Sequence, residues 1–175
     1  TYTNRKTMVV VLDACEKYPV GYAIGDHESP ALIREALRNA VQHTKELFGN
    51  RYKPLQLQSD NYQKKVMVPF YEAMTKYYTP AALGNAKSKI VEPYFKHLNV
   101  EYCQKQANWS GFGITAEKDN QPNLEVLNQN HKFIPDEATV IAQLEAIIAQ
   151  ERAKKIDAYR AAWERTEEAL SLIHI

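Results

Sequence analysis

Apolar positions along this chain switch between a period of two and a period of about 3.6, and the switches mark its elements. Met8-Val9-Val10-Val11-Leu12 is a β-branched apolar run suited to a strand buried on both faces. Asp13 ends it, and Glu16-Lys17-Tyr18-Pro19 turns the chain. Val20-Gly21-Tyr22-Ala23-Ile24-Gly25 then reads as the returning strand of a hairpin. Ser29-Pro30 supplies an N-cap and a proline at the first helical position. From there Leu32, Ile33, Ala36, Leu37, Ala40 and Val41 recur at helical spacing, until Phe48-Gly49-Asn50 stops the helix.

Leu55 to Ser59 is a short apolar run opening into turn chemistry, the pattern of a buried strand that presents Asp60 at its end. Val66, Phe70, Tyr71, Met74 and Tyr77 predict a helix with Pro69 limiting its first half, and Tyr77-Tyr78-Thr79-Pro80 adds a short edge strand. A Gly/Asn/Lys-rich loop from Leu83 to Lys87 leads to the next helix. Pro93 fixes where that helix starts, because proline is tolerated only in a first turn. It continues through Phe95, Leu98 and Tyr102 and holds Glu92 near its beginning. Residues 104–135 are loop-like. Ile134-Pro135-Asp136 starts a long helix with Val140, Ile141, Leu144, Ile147 and Ile148 on one face, and mostly charged residues and alanine follow as far as Trp163. Leu170 to Ile175 departs from that pattern and is expected to be a non-native tail.

A chain of 175 residues can bury a sizeable core as one domain. With 45% hydrophobic and 25% charged residues, and no apolar run of bilayer length, it has a globular composition and predicts no membrane span. A net charge of +1 gives no overall attraction for nucleic acid, so a DNA enzyme would need its positive charge localised. Cys15 and Cys103 form no CxxC pair; neither a disulfide framework nor a zinc site is expected, and a reducing cytoplasm is the default compartment. Thr1 to Lys6 reads as a polar loop already in progress, with no initiator Met and no signal peptide, which is what a fragment would show.

Two carboxylates carry the candidate chemistry. Asp60 at a strand end and Glu92 at a helix start offer oxygen ligands to a hard divalent cation. Taken alone, such a pair is more often a solvated strand-end Asp and a first-turn Glu. Lys64, Lys65, Lys87 and Lys89 flank the pair and suit phosphate neutralisation, or else are solvated loop and helix lysines. Trp109 and Phe112 are expected to anchor their loop rather than stack on bases. His27, His43, His97 and His131 have no metal-ligand spacing and are taken as incidental.

Gln58-Ser59-Asp60-Asn61 and Asn85-Ala86-Lys87-Ser88-Lys89-Ile90-Val91-Glu92 resemble the second and third acidic motifs of DDE transposases and retroviral-type integrases. The wording of the third is closest to insertion-sequence and phage Mu-type transposases. Asp60 and Glu92 stand 32 residues apart, near the spacing that family uses. Tyr62 replaces the usual small residue after Asp-Asn, and Pro93 the usual basic residue after the glutamate. Val9–Ile24 is similar to the second and third strands of an integrase core, and Ala107–Gly111 to an aromatic-Gly segment that follows the glutamate helix.

The resemblance implies an α/β, ribonuclease H-like mixed sheet flanked by helices, with its first strand missing and a C-terminal helical extension. The expected division is a partial catalytic core over residues 1–105, a loop region over 106–135, a C-terminal helix over 136–169 and the tail over 170–175. It implies DNA cleavage and strand transfer with Mg²⁺ or Mn²⁺ held by Asp60 and Glu92 as catalytic and metal-binding residues. Lys64, Lys65, Lys87 and Lys89 would contact DNA, meaning transposon ends and target, in a homo-oligomeric complex. Asp13 sits where the family has a second-strand aspartate, usually structural, and the catalytic first aspartate is expected upstream of Thr1. The fragment itself is then expected to be inactive. With the first strand absent, Leu55–Ser59 is expected to have at most one strand neighbour, around Tyr77–Thr79, and not to pair with residues 8–13. The alternatives are a ribonuclease H-like nuclease and a non-catalytic DNA-binding or assembly protein of the same fold.

Overall fold

The computed structural model describes residues 6–59, 63–80, 90–109 and 135–169. Over these the chain is mixed α/β, with two two-stranded sheets, four α-helices and one 3-10 turn. It divides into two compact units, one formed by residues up to Lys89 together with those from Gln150 onward, the other by Ile90–Ala149.

In the first unit, β1 (Thr7–Leu12) and β2 (Pro19–Gly25) pair antiparallel, from Thr7 opposite Gly25 to Leu12 opposite Pro19, with a bulge after Val11. Helix α1 (Pro30–Phe48) begins as its sequence requires. The Ser29 side chain accepts from the Leu32 N–H at 3.2 Å, and Pro30 opens the first turn. Gly49 closes the helix at φ 83°, a left-handed conformation that costs a glycine little.

Gly21 decides how the hairpin meets this helix. A Cβ there would stand 2.5 Å from both the Ala36 carbonyl oxygen and the Ala40 Cβ, so the missing side chain lets β2 lie flush on α1. Ala23, Leu32 and Ala36 fill the contact, with Val9 and Val11 against them.

Strand β3 (Gln56–Ser59) pairs parallel with β4 (Tyr77–Pro80), and helix α2 (Lys64–Met74) connects them. Both sheets lean on one helical layer. Ile33 and Leu37 of α1 and Met67 and Tyr71 of α2 form a core that receives Val9 and Val11 from one sheet and Leu57 and Tyr78 from the other. Among the described residues β1 pairs with β2 alone and β3 with β4 alone, so the expected single neighbour of Leu55–Ser59 is present and β1 does not pair with it.

Three expectations need correction. Strand β1 is half-buried along its whole length rather than buried on both faces, because only alternate residues, Val9 and Val11, reach the helical layer. Strand β3 is not a buried strand either: Gln56 and Gln58 are exposed and only Leu57 faces the core, as alternation on one covered face dictates. Pro69 does not limit α2 but sits inside it. Its ring is exposed, as is Lys65, whose carbonyl loses its i+4 donor, so water can satisfy that oxygen.

Helix α4 (Glu137–Ala169) contributes its residues to both units. From Gln150 onward it docks on the hairpin and α1, although that stretch reads as charged and alanine-rich. The Arg152 guanidinium donates to the carbonyls of Pro19 and Val20, both at 2.9 Å, and lies over the Tyr22 ring. Asn39 of α1 accepts from the Tyr22 N–H at 3.1 Å. Together these groups blunt the outer edge of the hairpin. Lys155 donates to the Lys17 carbonyl at 3.0 Å and pairs at 2.7 Å with Glu151, which is only 1% exposed. Beneath them Tyr18 stacks on Tyr159 at 4.3 Å, and Phe48 stacks on Trp163 at 4.1 Å.

His43 joins this cluster and is not incidental. Its Nε2 lies 2.8 Å from the Tyr18 hydroxyl, and the Glu46 carboxylate 3.8 Å from Nδ1 favours the Nδ1–H tautomer, leaving Nε2 to accept. Burial, and then the Arg152 charge, hold its pKa below the ordinary histidine value despite Glu46. The unfolded chain therefore binds the proton more readily. The stabilisation from neutral His43 is complete above about pH 6.5 and is lost as pH falls through the lower folded-state value. Urea midpoints between pH 8 and 5 should fall more steeply on the acid side for the natural protein than for His43→Asn. Equal slopes would remove His43 as the source.

In the second unit, α3 (Val91–Glu101) carries Tyr94 and Leu98 inward and is followed by a 3-10 turn at Cys103–Lys105. The Trp109 indole N–H donates to Asn99 at 2.9 Å, the anchoring role expected of it. Phe112 lies outside the described residues, as do His131 and the expected tail at 170–175.

Candidate functional site

Glu92 is the second residue of α3, with Pro93 third, so the proline stands in the first turn, where its missing N–H has no partner to lose. A carboxylate in a first turn is favoured by the helix dipole. Glu92 is exposed, and its oxygens are a hard donor set of the kind Mg²⁺ takes. On the other side, β3 ends at Ser59, whose hydroxyl is 2.9 Å from the Tyr78 hydroxyl on the paired strand. The residue that follows that end in sequence is Asp60.

Asp60, Lys87 and Lys89 lie outside the described residues. Lys64 is the first residue of α2, directly after Gln63 in a left-handed conformation at φ 48°. Lys65, the next residue, is exposed. β3 and α2 belong to the first unit and Glu92 to the second. Among the described residues no three His, Cys, Asp or Glu side chains are grouped to hold a metal ion.

Asp13 has local work. Its carboxylate accepts from the Glu16 N–H at 2.7 Å, and its own N–H donates to the Tyr18 carbonyl at 2.9 Å. Lys17 turns the chain at φ 55°, its ammonium donating to the Ala14 carbonyl. Asp13 thus closes the turn between the hairpin strands, a local structural role.

Sequence reasoning missed the cluster around Tyr159. The signal was available in Ile148, Arg152, Lys155, Tyr159 and Trp163, which recur at spacings of three and four, but charge on three-carbon and four-carbon stems concealed a packing face. No helix among the described residues is long and apolar enough to cross a membrane. No family model, curated protein or solved structure matches the chain.

Proposed function

We propose that this chain carries part of a ribonuclease H-like catalytic core of a DDE transposase or integrase, which cuts and joins DNA by divalent-metal-dependent phosphoryl transfer. The observation that carries the reading is the pair of acidic motifs, Gln58–Asn61 and Asn85–Glu92, placed against secondary structure of the right kind. The first motif begins on the last residues of a strand, and the second ends within the first turn of a helix. A parallel β3–β4 pair joined through a helix, and an antiparallel hairpin leaning on the same helical layer, further support it. In such a fold one more strand would lie between β1 and β3, antiparallel to the first and parallel to the second, and would bring the third carboxylate.

In this reading Asp60 and Glu92 would hold Mg²⁺ or Mn²⁺, which would supply charge stabilisation and an activated oxygen nucleophile at the scissile phosphodiester. The protein's own part would be to supply the two carboxylates as oxygen ligands, Glu92 from the first turn of α3. Lys64, Lys65, Lys87 and Lys89 would contact DNA phosphates beside them, within a homo-oligomeric complex.

The test uses the natural full-length protein and a labelled DNA end. Mg²⁺-dependent strand transfer is expected, and nicking without transfer would favour the nuclease alternative. Glu92→Gln should lower the reaction by about 1,000-fold or more while leaving DNA affinity nearly unchanged, since it removes a metal ligand and no phosphate contact. DNA binding without any metal-dependent reaction would favour the non-catalytic alternative. Undiminished activity in Glu92→Gln would remove Glu92 from the mechanism.

A further inference from the structure

The solvent side of α1 carries Arg34, Arg38 and Lys45 at spacings of four and seven residues, which places all three within about 40° of one another around the helix axis. Over that span the axis rises about 16 Å. Arg38 and Lys45 are exposed, and Arg34 is half-buried because its guanidinium lies over the Phe70 ring of α2, 5.4 Å from the centroid. That stacking fixes one end of the row against the helical layer and leaves the guanidinium edge available to acceptors.

No carboxylate answers these charges among the described residues: none of the three makes an ion pair. The acids of the same helix lie to one side of the row and pair with none of its members. Glu35 and Glu46 project about 60–120° further round, and the Glu46 carboxylate already faces His43. On α2 the Arg34 guanidinium meets the Phe70 ring, an apolar neighbour with no charge to offset it. In a chain whose net charge is only +1, a row of uncompensated cations about 16 Å long is a concentrated positive field.

We infer that the Arg34–Arg38–Lys45 face of α1 is a DNA-backbone contact surface, separate from the lysines that flank the two acidic motifs. It rests on the proposed DNA chemistry and adds to it the place where duplex outside the reacting phosphodiester is held. Each strand of a duplex carries one phosphate per about 3.4 Å of helix axis, so the row spans enough of them for each cation to take one, without any base contact. The surface is therefore sequence-independent and salt-sensitive.

The experiment measures affinity of the 175-residue chain for a mixed-sequence duplex of about 30 bp, by fluorescence anisotropy as salt is varied. Arg38→Gln/Lys45→Gln is compared with Lys96→Gln/Lys105→Gln, which removes the same charge from the second unit. The natural chain should bind with a log–log salt slope that becomes shallower by about 1.8 in the α1 variant, at roughly 0.9 for each phosphate no longer neutralised. Affinity should fall at least tenfold, and the control should change by less than threefold. Adding Arg34→Gln should weaken binding again, with the circular dichroism spectrum confirming that the helical layer is kept. Binding by the natural chain with no difference between the α1 variant and the control would overturn the surface while leaving the DNA reading intact. No binding at any salt by the natural chain or the full-length protein would overturn both.

Discussion

Gly21→Ala is expected to destabilise the first unit by about 3 kcal/mol, at the upper end of what overpacking costs. The added methyl would meet the Ala36 carbonyl oxygen and the Ala40 Cβ at 2.5 Å, and neither can yield without moving the axis of α1 or the hairpin. Gly25→Ala is the control. Its nearest neighbour is the Leu32 Cδ1 at 3.0 Å, the end of a flexible side chain that can turn aside, so a loss below about 1 kcal/mol is expected there. Urea unfolding of the two variants, with unchanged m-values, measures the difference directly. Similar small losses at both sites would mean that β2 does not rest on α1 at this distance.

Tyr159→Ala should cost about 3–5 kcal/mol, the range for truncating a large buried aromatic side chain. Tyr159 is 6% exposed, stacks on Tyr18 and tilts against Phe48 at 5.8 Å, so its loss opens a cavity under the point where α4 meets the hairpin. Burial pushes the Tyr159 phenol pKa well up, with Asp13 and Tyr18 adding to it, so the ring stays neutral throughout the range in which the protein is handled. Tyr159→Phe keeps the stack and should be close to neutral. In a double-mutant cycle, Tyr18→Ala and Tyr159→Ala should show a coupling of about 0.5–1.5 kcal/mol. Strict additivity would mean that the two rings do not stack in solution.

Local signals were legible wherever a residue's own backbone chemistry sets the outcome. Ser29-Pro30 opens α1 and Gly49 closes it because capping and φ restrictions act within four residues. The hairpin, β3 and β4 follow from short apolar runs bounded by turn residues. What depends on partners distant in sequence was not legible. The triple valine of β1 suggested two covered faces, yet coverage depends on what packs there, and only α1 and α2 supply it. Glu151, Arg152 and Lys155 read only as part of a charged and alanine-rich stretch, because hydropathy counts their charges and ignores their stems. Of the candidate site, the helix-start position of Glu92 and the strand preceding Asp60 were legible, since proline fixes the first and a short apolar run opening into turn residues marks the second. Which side chains join them is a tertiary matter that motif spacing cannot supply.

The clasp of α4 on the hairpin also sets a timetable for the growing chain. Arg152 reaches Pro19 across 133 residues and Lys155 reaches Lys17 across 138. At translation rates of about 5–20 residues per second, the turn at Lys17–Val20 is made roughly 7 to 27 seconds before its partners exist. Closing a loop of that length also costs about 4 kcal/mol of chain entropy, which local contacts cannot repay. For that interval the Tyr18 ring lacks Tyr159 on its face, and the hairpin presents unguarded carbonyls along an open edge. A nascent chain stalled before Gln150 would thus display a sticky two-stranded ribbon. Completion of α4, more than the early appearance of the strands, is what makes the first unit safe from pairing with its neighbours.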